Sequence, residues 1–147
     1  MRRALGGGFE LDDDPARIDL DAVHAYLAGE SYWGAGRPRE LTERAVRGSW
    51  RVVGLYRGEQ QVGFGRVIAD GAITAYLADV YVLAPWRGRG LGLELVRELV
   101  DGGEHTVAMR WMLHTADAQG LYAKLGFTEQ SGPYPLMERR RDYDSRS

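Results

Sequence analysis

Cysteine is absent from all 147 residues. That excludes disulfide staples, and it excludes a cysteine that could carry a transferred group covalently. Any group transfer should then run directly between two bound substrates. Long apolar runs are missing too: none approaches the ~20 residues of a membrane-crossing helix. The N-terminal Met1-Arg2-Arg3-Ala4-Leu5-Gly6-Gly7-Gly8 holds two arginines but lacks the apolar core of an export signal, so a cytoplasmic protein is expected. Neither sign of charge is in large excess. Nineteen basic against 21 acidic side chains give a net charge of −2 and a pI near 5.9, which argues against nucleic acid or an anionic membrane as partner. Repeats and low-complexity segments are lacking as well. The expectation is one domain over residues 1–147, with flexible ends at 1–8 and 138–147.

What is present is concentrated in Val80-Tyr81-Val82-Leu83-Ala84-Pro85-Trp86-Arg87-Gly88-Arg89-Gly90-Leu91-Gly92-Leu93-Glu94-Leu95. An apolar, β-rich run stops at a proline, glycines recur at every second position, and an amphipathic helix follows. A strand, a glycine turn and a helix start in that order make an anion site. The glycines let the backbone approach an oxyanion, and the first helical N–H groups point at it. Arg87 and Arg89 add positive charge, so a phosphorylated ligand is expected.

Two absences inside the loop narrow that ligand. No Gly-Lys-Ser/Thr closes it, so it is not a Walker A loop. The third glycine of a dinucleotide fingerprint would fall at position 93, which is leucine. The remaining pattern resembles the acetyl-CoA loop of the GNAT superfamily of N-acetyltransferases, Arg/Gln-x-x-Gly-x-Gly/Ala, here Arg87-Gly88-Arg89-Gly90-Leu91-Gly92. A second segment, His114-Thr115-Ala116-Asp117-Ala118-Gln119-Gly120-Leu121-Tyr122-Ala123-Lys124-Leu125-Gly126-Phe127, resembles that family's other signature, a polar cap before Ala-x-x-Leu-Tyr-x-Lys-x-Gly-Phe. It also reads as a helix in its own right. Ala118, Leu121, Tyr122 and Leu125 share a face, Thr115 or Asp117 caps the start, and Gly126 suits a left-handed end. The resemblance spans roughly Trp50 to Phe127.

Periodicity supplies the rest of the order. A short strand is expected at Gly8-Phe9-Glu10-Leu11, then a helix capped by Asp19 and ending at Gly29, and a second helix from Arg39 to Arg47. Strands follow over Trp50–Arg57, Gln61–Ile68 and Ala72–Leu83, with Val62 and Phe64 assigned to one face. After the loop come a helix to Gly102, a strand over Val107–Leu113, a helix over Asp117–Leu125 and a final strand from Phe127. That order matches the GNAT fold. The resemblance therefore implies an α/β (α+β) fold with a central mixed, mostly antiparallel sheet of six to seven strands flanked by four helices.

The same resemblance implies acetyl-CoA as acetyl donor and no metal. Arg87, Gly88, Arg89, Gly90, Leu91 and Gly92 would hold its pyrophosphate, and the strand edge at Tyr81 and Val82 its pantetheine arm. A backbone N–H at a bulge near Val82 would polarise the thioester carbonyl. Thr115 stands where the family commonly has Asn, and Tyr122 matches the tyrosine near the sulfur, as thiolate stabiliser or acid. Family substrate contacts come from the first two helices and their loop, where Glu30, Tyr32 and Trp33 offer a carboxylate and two aromatic faces suited to a cation.

Asp79 stands inside an apolar run and needs a reason to be there. It is read either as a base or ammonium site, or as a structural carboxylate paired with Arg66 or Arg110. His114 and His24 are read as hydrogen-bonded core or edge histidines. The leading expectation is acetyl transfer to the primary amine of a small molecule through a ternary complex, with a homodimer left open. Two alternatives share the cofactor features: a non-catalytic acyl-CoA-binding or interaction module, and a protein acetyltransferase acting on lysines or N-termini.

Overall fold

The computed structural model describes residues 1–140. Strands β1 (Arg2–Gly6) and β2 (Phe9–Asp12) come first, followed by helices α1 (Leu20–Gly29) and α2 (Arg39–Arg47). Strands β3 (Arg51–Arg57), β4 (Gln60–Ala69) and β5 (Thr74–Val82) form a meander. Helix α3 (Leu91–Arg97), strand β6 (Arg110–Met112) and helix α4 (Gln119–Ala123) complete the order. The sheet runs β1-β2-β3-β4-β5-β6, antiparallel except for the parallel pair β5–β6.

Local chemistry accounts for the best-defined elements. Asp19 caps α1 by accepting from the Ala22 N–H, and Glu30 closes it with a backbone bond to Tyr26. Val23, Tyr26 and Leu27 of α1, with Val46 of α2, bury against Val52, Phe64 and Tyr81 on one face of the sheet. Leu91, Leu95, Val96 and Leu99 of α3 and its continuation bury against Val53, Leu55, Val67 and Leu77 on the other. Gly65 permits that approach: a Cβ there would lie 2.5 Å from Leu99 Cδ1.

Two bulges shift side chains between these cores. The β3–β4 register slips between Leu55 and Tyr56, and Val62 and Phe64 end in different cores rather than on one face. The β4–β5 register slips between Phe64 and Arg66, so Asp79 and Val80 both stand opposite Gly65. Before that point Ala75 and Leu77 face the α3 core; beyond it Val80 and Val82 do, while Tyr81 turns to the α1 side.

The ends differ from expectation. Residues 2–6, expected to be flexible, form β1. Glycines 6, 7 and 8, all with positive φ, turn it back onto β2, and Arg3 reaches Glu98 at 3.2 Å. The ladder to β2, ion pairs and the single apolar contact of Leu5 with the core hold this edge, too little alternation to announce a strand. Strand β6 is shorter than predicted because Thr106–Ala108 forms a 3-10 turn after His105, whose φ is 63°. Helix α4 covers only part of the expected span. Among the described residues no strand follows Phe127; Pro133 and Pro135 remove N–H groups that a ladder would need. Residues 138–140 carry no regular structure, and the rest of the expected flexible tail lies outside the described residues.

Candidate active site

Strands β5 and β6 pair for three residues only, Thr74↔Arg110, Ala75↔Trp111 and Tyr76↔Met112. Beyond Tyr76, β5 runs on to Val82 with that edge open, and a cleft of about 870 Å³ lies against it. Leu83 N–H donates to Val62 O at 2.8 Å, so antiparallel alternation turns the Val82 peptide toward the open side. Its carbonyl there accepts from Arg87 Nε at 2.8 Å. The bulge expected near Val82 falls earlier, at Asp79 and Val80, where Asp79 takes φ 55°. Tyr81 lies in the cleft wall. Its ring is buried and stacks on Tyr26 at 4.0 Å, and burial pushes its hydroxyl pKa up.

After β5 the chain makes one 3-10 turn at Ala84–Trp86 and enters the glycine loop. Gly88 (φ 79°) and Gly90 (φ 78°) are left-handed, and Gly90 precedes α3 with no side chain on the first-turn amides. Nothing lies within 4 Å of a Cβ built on either glycine. Backbone conformation, not crowding by the protein, demands glycine at both. Arg87 is exposed yet fixed, for its second guanidinium nitrogen donates to Tyr26 Oη at 2.8 Å. Arg87, Gly88, Gly90, Leu91 and Gly92 line the cleft. Arg89 does not: its guanidinium sits 5.3 Å from the centre of the Trp86 ring.

The facing wall comes from α4 and the loop before it. Thr115 Oγ1 accepts from the Ala118 N–H at 3.0 Å and the Asp117 N–H at 3.4 Å. Tyr122 lies edge-on to Phe127, at 5.8 Å between centroids. Burial, with the neighbouring Tyr32 and Asp117, pushes its pKa up to about 12.

The α1–α2 connection crosses the far end of the cleft and is tied to both walls. Tyr32 Oη accepts from the Ala116 N–H at 2.8 Å. Trp33 Nε1 donates to Asp79 Oδ1 at 3.0 Å, and Arg37 donates to both carboxylate oxygens at 2.9 and 3.2 Å. Arg66 Nε adds a donor at 2.7 Å. The Asp79 side chain is 3% exposed. Burial alone would raise its pKa, but the hydrogen bonds and charges of Arg37 and Arg66 hold it below the ordinary carboxylate value. Arg110, the other partner considered, stands opposite Thr74 at the start of the β5–β6 pairing. Glu30 is exposed and lines the cleft with Tyr32 and Trp33.

Sequence reasoning missed Arg37, which lies 42 residues from Asp79 in a glycine-rich loop with no periodic signal. It also missed Tyr26, whose spacing from Val23 and Leu27 marks only a core position. His114 lines the cleft beside Tyr76, whereas His24 lies away from it with a buried Nδ1 that has no partner. Among the described residues no group of three or more His, Cys, Asp or Glu could hold a metal, and no helix is long and apolar enough to cross a membrane.

A family model described as the acetyltransferase (GNAT) domain matches residues 48–129. A Gibberella zeae protein described as an acetyltransferase is 33% identical over 140 residues, covering 80% of this chain and 77% of that one. Glucosamine 6-phosphate N-acetyltransferase 1 of Oryza sativa subsp. japonica is 30% identical over 110 residues, covering 62% and 67%. A crystal structure of a GNAT-family protein from Xanthomonas campestris pv. campestris superposes with TM-score 0.84 and 36% identity, over 90% of this chain and 93% of that one.

Proposed function

This chain belongs to the GNAT acetyltransferases, and from that premise we propose that it moves acetyl from acetyl-CoA directly to the primary amine of a small molecule bound beside it. The observation that carries the reading is the parting of β5 and β6 after three pairs, which leaves an unpaired strand edge between the glycine loop and the α1–α2 connection. An amide-bearing pantetheine arm fits such an edge, as an added strand would. The residues present suit the rest of the donor. Left-handed glycines and uncapped amides accept a pyrophosphate, and the fixed guanidinium of Arg87 stands beside them. Arg89 is not given a role there.

Acetyl transfer breaks the C–S bond of the thioester and forms a C–N bond to the amine. We assign Tyr122 to the departing sulfur as a hydrogen-bond donor. With its pKa near 12, full proton transfer to a thiolate near 8.5 is uphill by roughly 5 kcal/mol, whereas a hydrogen bond stabilises the same charge without that cost. Of the two readings of Asp79, base or structural carboxylate, its hydrogen bonds favour the structural one. Its two oxygens already accept four donors, and its depressed pKa makes it a poor proton acceptor. It fixes Trp33, and with it the loop bearing Glu30 and Tyr32, over the acceptor end.

Calorimetry with acetyl-CoA, followed by thiol release against a panel of primary amines, tests the reading. Binding with amine-dependent release is expected. No binding at millimolar acetyl-CoA would overturn the donor site, and binding without release by any amine would make the protein a non-catalytic module.

A further inference from the structure

With Asp79 saturated, the cleft still needs a group that takes a proton from the acceptor. Imidazole is the one side-chain type whose ordinary pKa lies between about 5 and 8. Among the described residues His114 is the only imidazole lining the cleft; His24 lies off it and His105 is exposed in a turn beyond α3. Its placement is specific. Tyr76 is the last β5 residue paired with β6, and His114 follows Met112 by two, so the two side chains meet where the strands part. Tyr76 Oη and His114 Nδ1 are 2.5 Å apart. That contact occupies Nδ1 and orients the ring. His114 and Tyr76 line the same cleft as Asp79, Tyr122 and the α1–α2 connection, so an acceptor bound there lies on the side the imidazole faces.

We propose that His114, oriented by Tyr76, is the proton acceptor for the amine, acting through Nε2. The proposal rests on the acetyl-transfer reading above. The contact admits two tautomers, and the proposal requires the one in which Nδ1–H donates to Tyr76 Oη and Nε2 carries the free lone pair. Two protons leave an ammonium acceptor in all. One passes to Nε2, and from that exposed ring to solvent, freeing the amine for attack. The other reaches the departing thiolate as the C–S bond breaks, giving thiol and amide. Burial raises the Tyr76 pKa, with Asp79 and Glu138 adding to that and Arg66 opposing it; Asp117, Tyr32 and Tyr122 line the same cleft as the pair.

The test follows kcat/KM for thiol release against pH in the parent, His114→Gln and Tyr76→Phe, with acceptor amines of decreasing pKa. Calorimetric acetyl-CoA affinity serves as the folding and donor-site control. His114→Gln should lower kcat/KM by about 10²-fold with a basic amine, remove the inflection in the imidazole range, and leave acetyl-CoA affinity unchanged. The deficit should shrink for amines already deprotonated at neutral pH. Tyr76→Phe should cost about tenfold and keep the inflection. Imidazole ¹⁵N shifts supply a readout independent of turnover: an Nδ1–H tautomer is expected. Parent-like kcat/KM and pH profile in His114→Gln, or an Nε2–H tautomer in the resting protein, overturns the proposal. If acetyl-CoA binds and no amine is acetylated, the functional reading falls instead, and the tautomer alone decides whether Nε2 is available.

Discussion

Asp79 combines three features that rarely coincide: a positive φ in a non-glycine residue, a side chain almost fully buried, and four hydrogen-bond donors around it. Removing one member of such a buried cluster leaves the others uncompensated. Asp79→Asn should therefore cost about 3 kcal/mol or more in chemical denaturation. The pH dependence has a definite sign. Because the folded pKa is depressed, ionised Asp79 contributes stability that is present above about pH 4 and lost as pH falls through the folded value. The gap between parent and variant should thus be full at pH 6 and narrow below pH 4; a gap independent of pH would refute the buried-ion account. Gly90 makes the matching case for backbone. Its φ of 78° makes a β-branched residue costly by about 1–3 kcal/mol, although no protein atom would be touched. Gly90→Val should also lose acetyl-CoA binding in calorimetry, and normal binding would withdraw the phosphate-loop role. Residue identities were the most legible part of the site. The glycine loop apart from Arg89, together with Tyr122, Thr115 and Asp79, singled out by pattern or by resemblance, lies along the cleft. Arg37 was not singled out, because pairing across 42 residues leaves no mark in either segment.

Legibility at the level of elements follows the strength of local signals. Helices α1 and α2 end where the sequence indicates, since Asp19, Gly29, Pro38 and Gly48 punctuate them. The bulges in β4 and β5 could not be read, because an inserted residue changes which core a side chain enters without changing its hydrophobicity. Apolar residues extend beyond the short β6 and α4, yet β6 begins only after the turn at Thr106–Ala108 and α4 is cut short at both ends. Helix α3 packs by way of glycines, and two substitutions separate their uses. Gly65→Ala should destabilise by about 1–3 kcal/mol through overpacking, because its Cβ would fall 2.5 Å from Leu99 Cδ1. Gly92→Ala meets the flexible end of Leu121 at 3.3 Å and Val82 Cγ2 at an ordinary 3.9 Å. A gain of up to about 1 kcal/mol in helix propensity offsets the closer contact, so thermal stability should stay nearly unchanged. Equal losses at the two positions would contradict this packing of α3.

Across the whole molecule, Arg87 links parts distant in sequence. It joins the glycine loop to the outward-facing Val82 carbonyl of β5 and to Tyr26 of α1. Its exposure alone suggests that alanine would be silent in the free protein, but these contacts indicate a loss of about 1 kcal/mol. The larger effect should appear with donor present. At acetyl-CoA one hundredfold above the parent Kd, linkage stabilises the folded state by about 2.7 kcal/mol. For a chain of this size that corresponds to a rise in Tm of about 5–11 °C. Loss of a charge-assisted phosphate contact weakens binding by about 1.5–3 kcal/mol, roughly ten- to a hundredfold. At the same acetyl-CoA concentration the stabilisation of Arg87→Ala then drops to about 1.4–0.4 kcal/mol, and its Tm shift to between half and a sixth of the parent's. Differential scanning fluorimetry of the two proteins, each referenced to its own ligand-free Tm, separates the contributions. A lowered ligand-free Tm reports the bridge between α1 and β5, and a reduced ligand-induced shift reports the phosphate contact. Should Arg87→Ala shift as far as the parent at every acetyl-CoA concentration, Arg87 serves the fold alone, and the anion must be held by the backbone amides of residues 88–92.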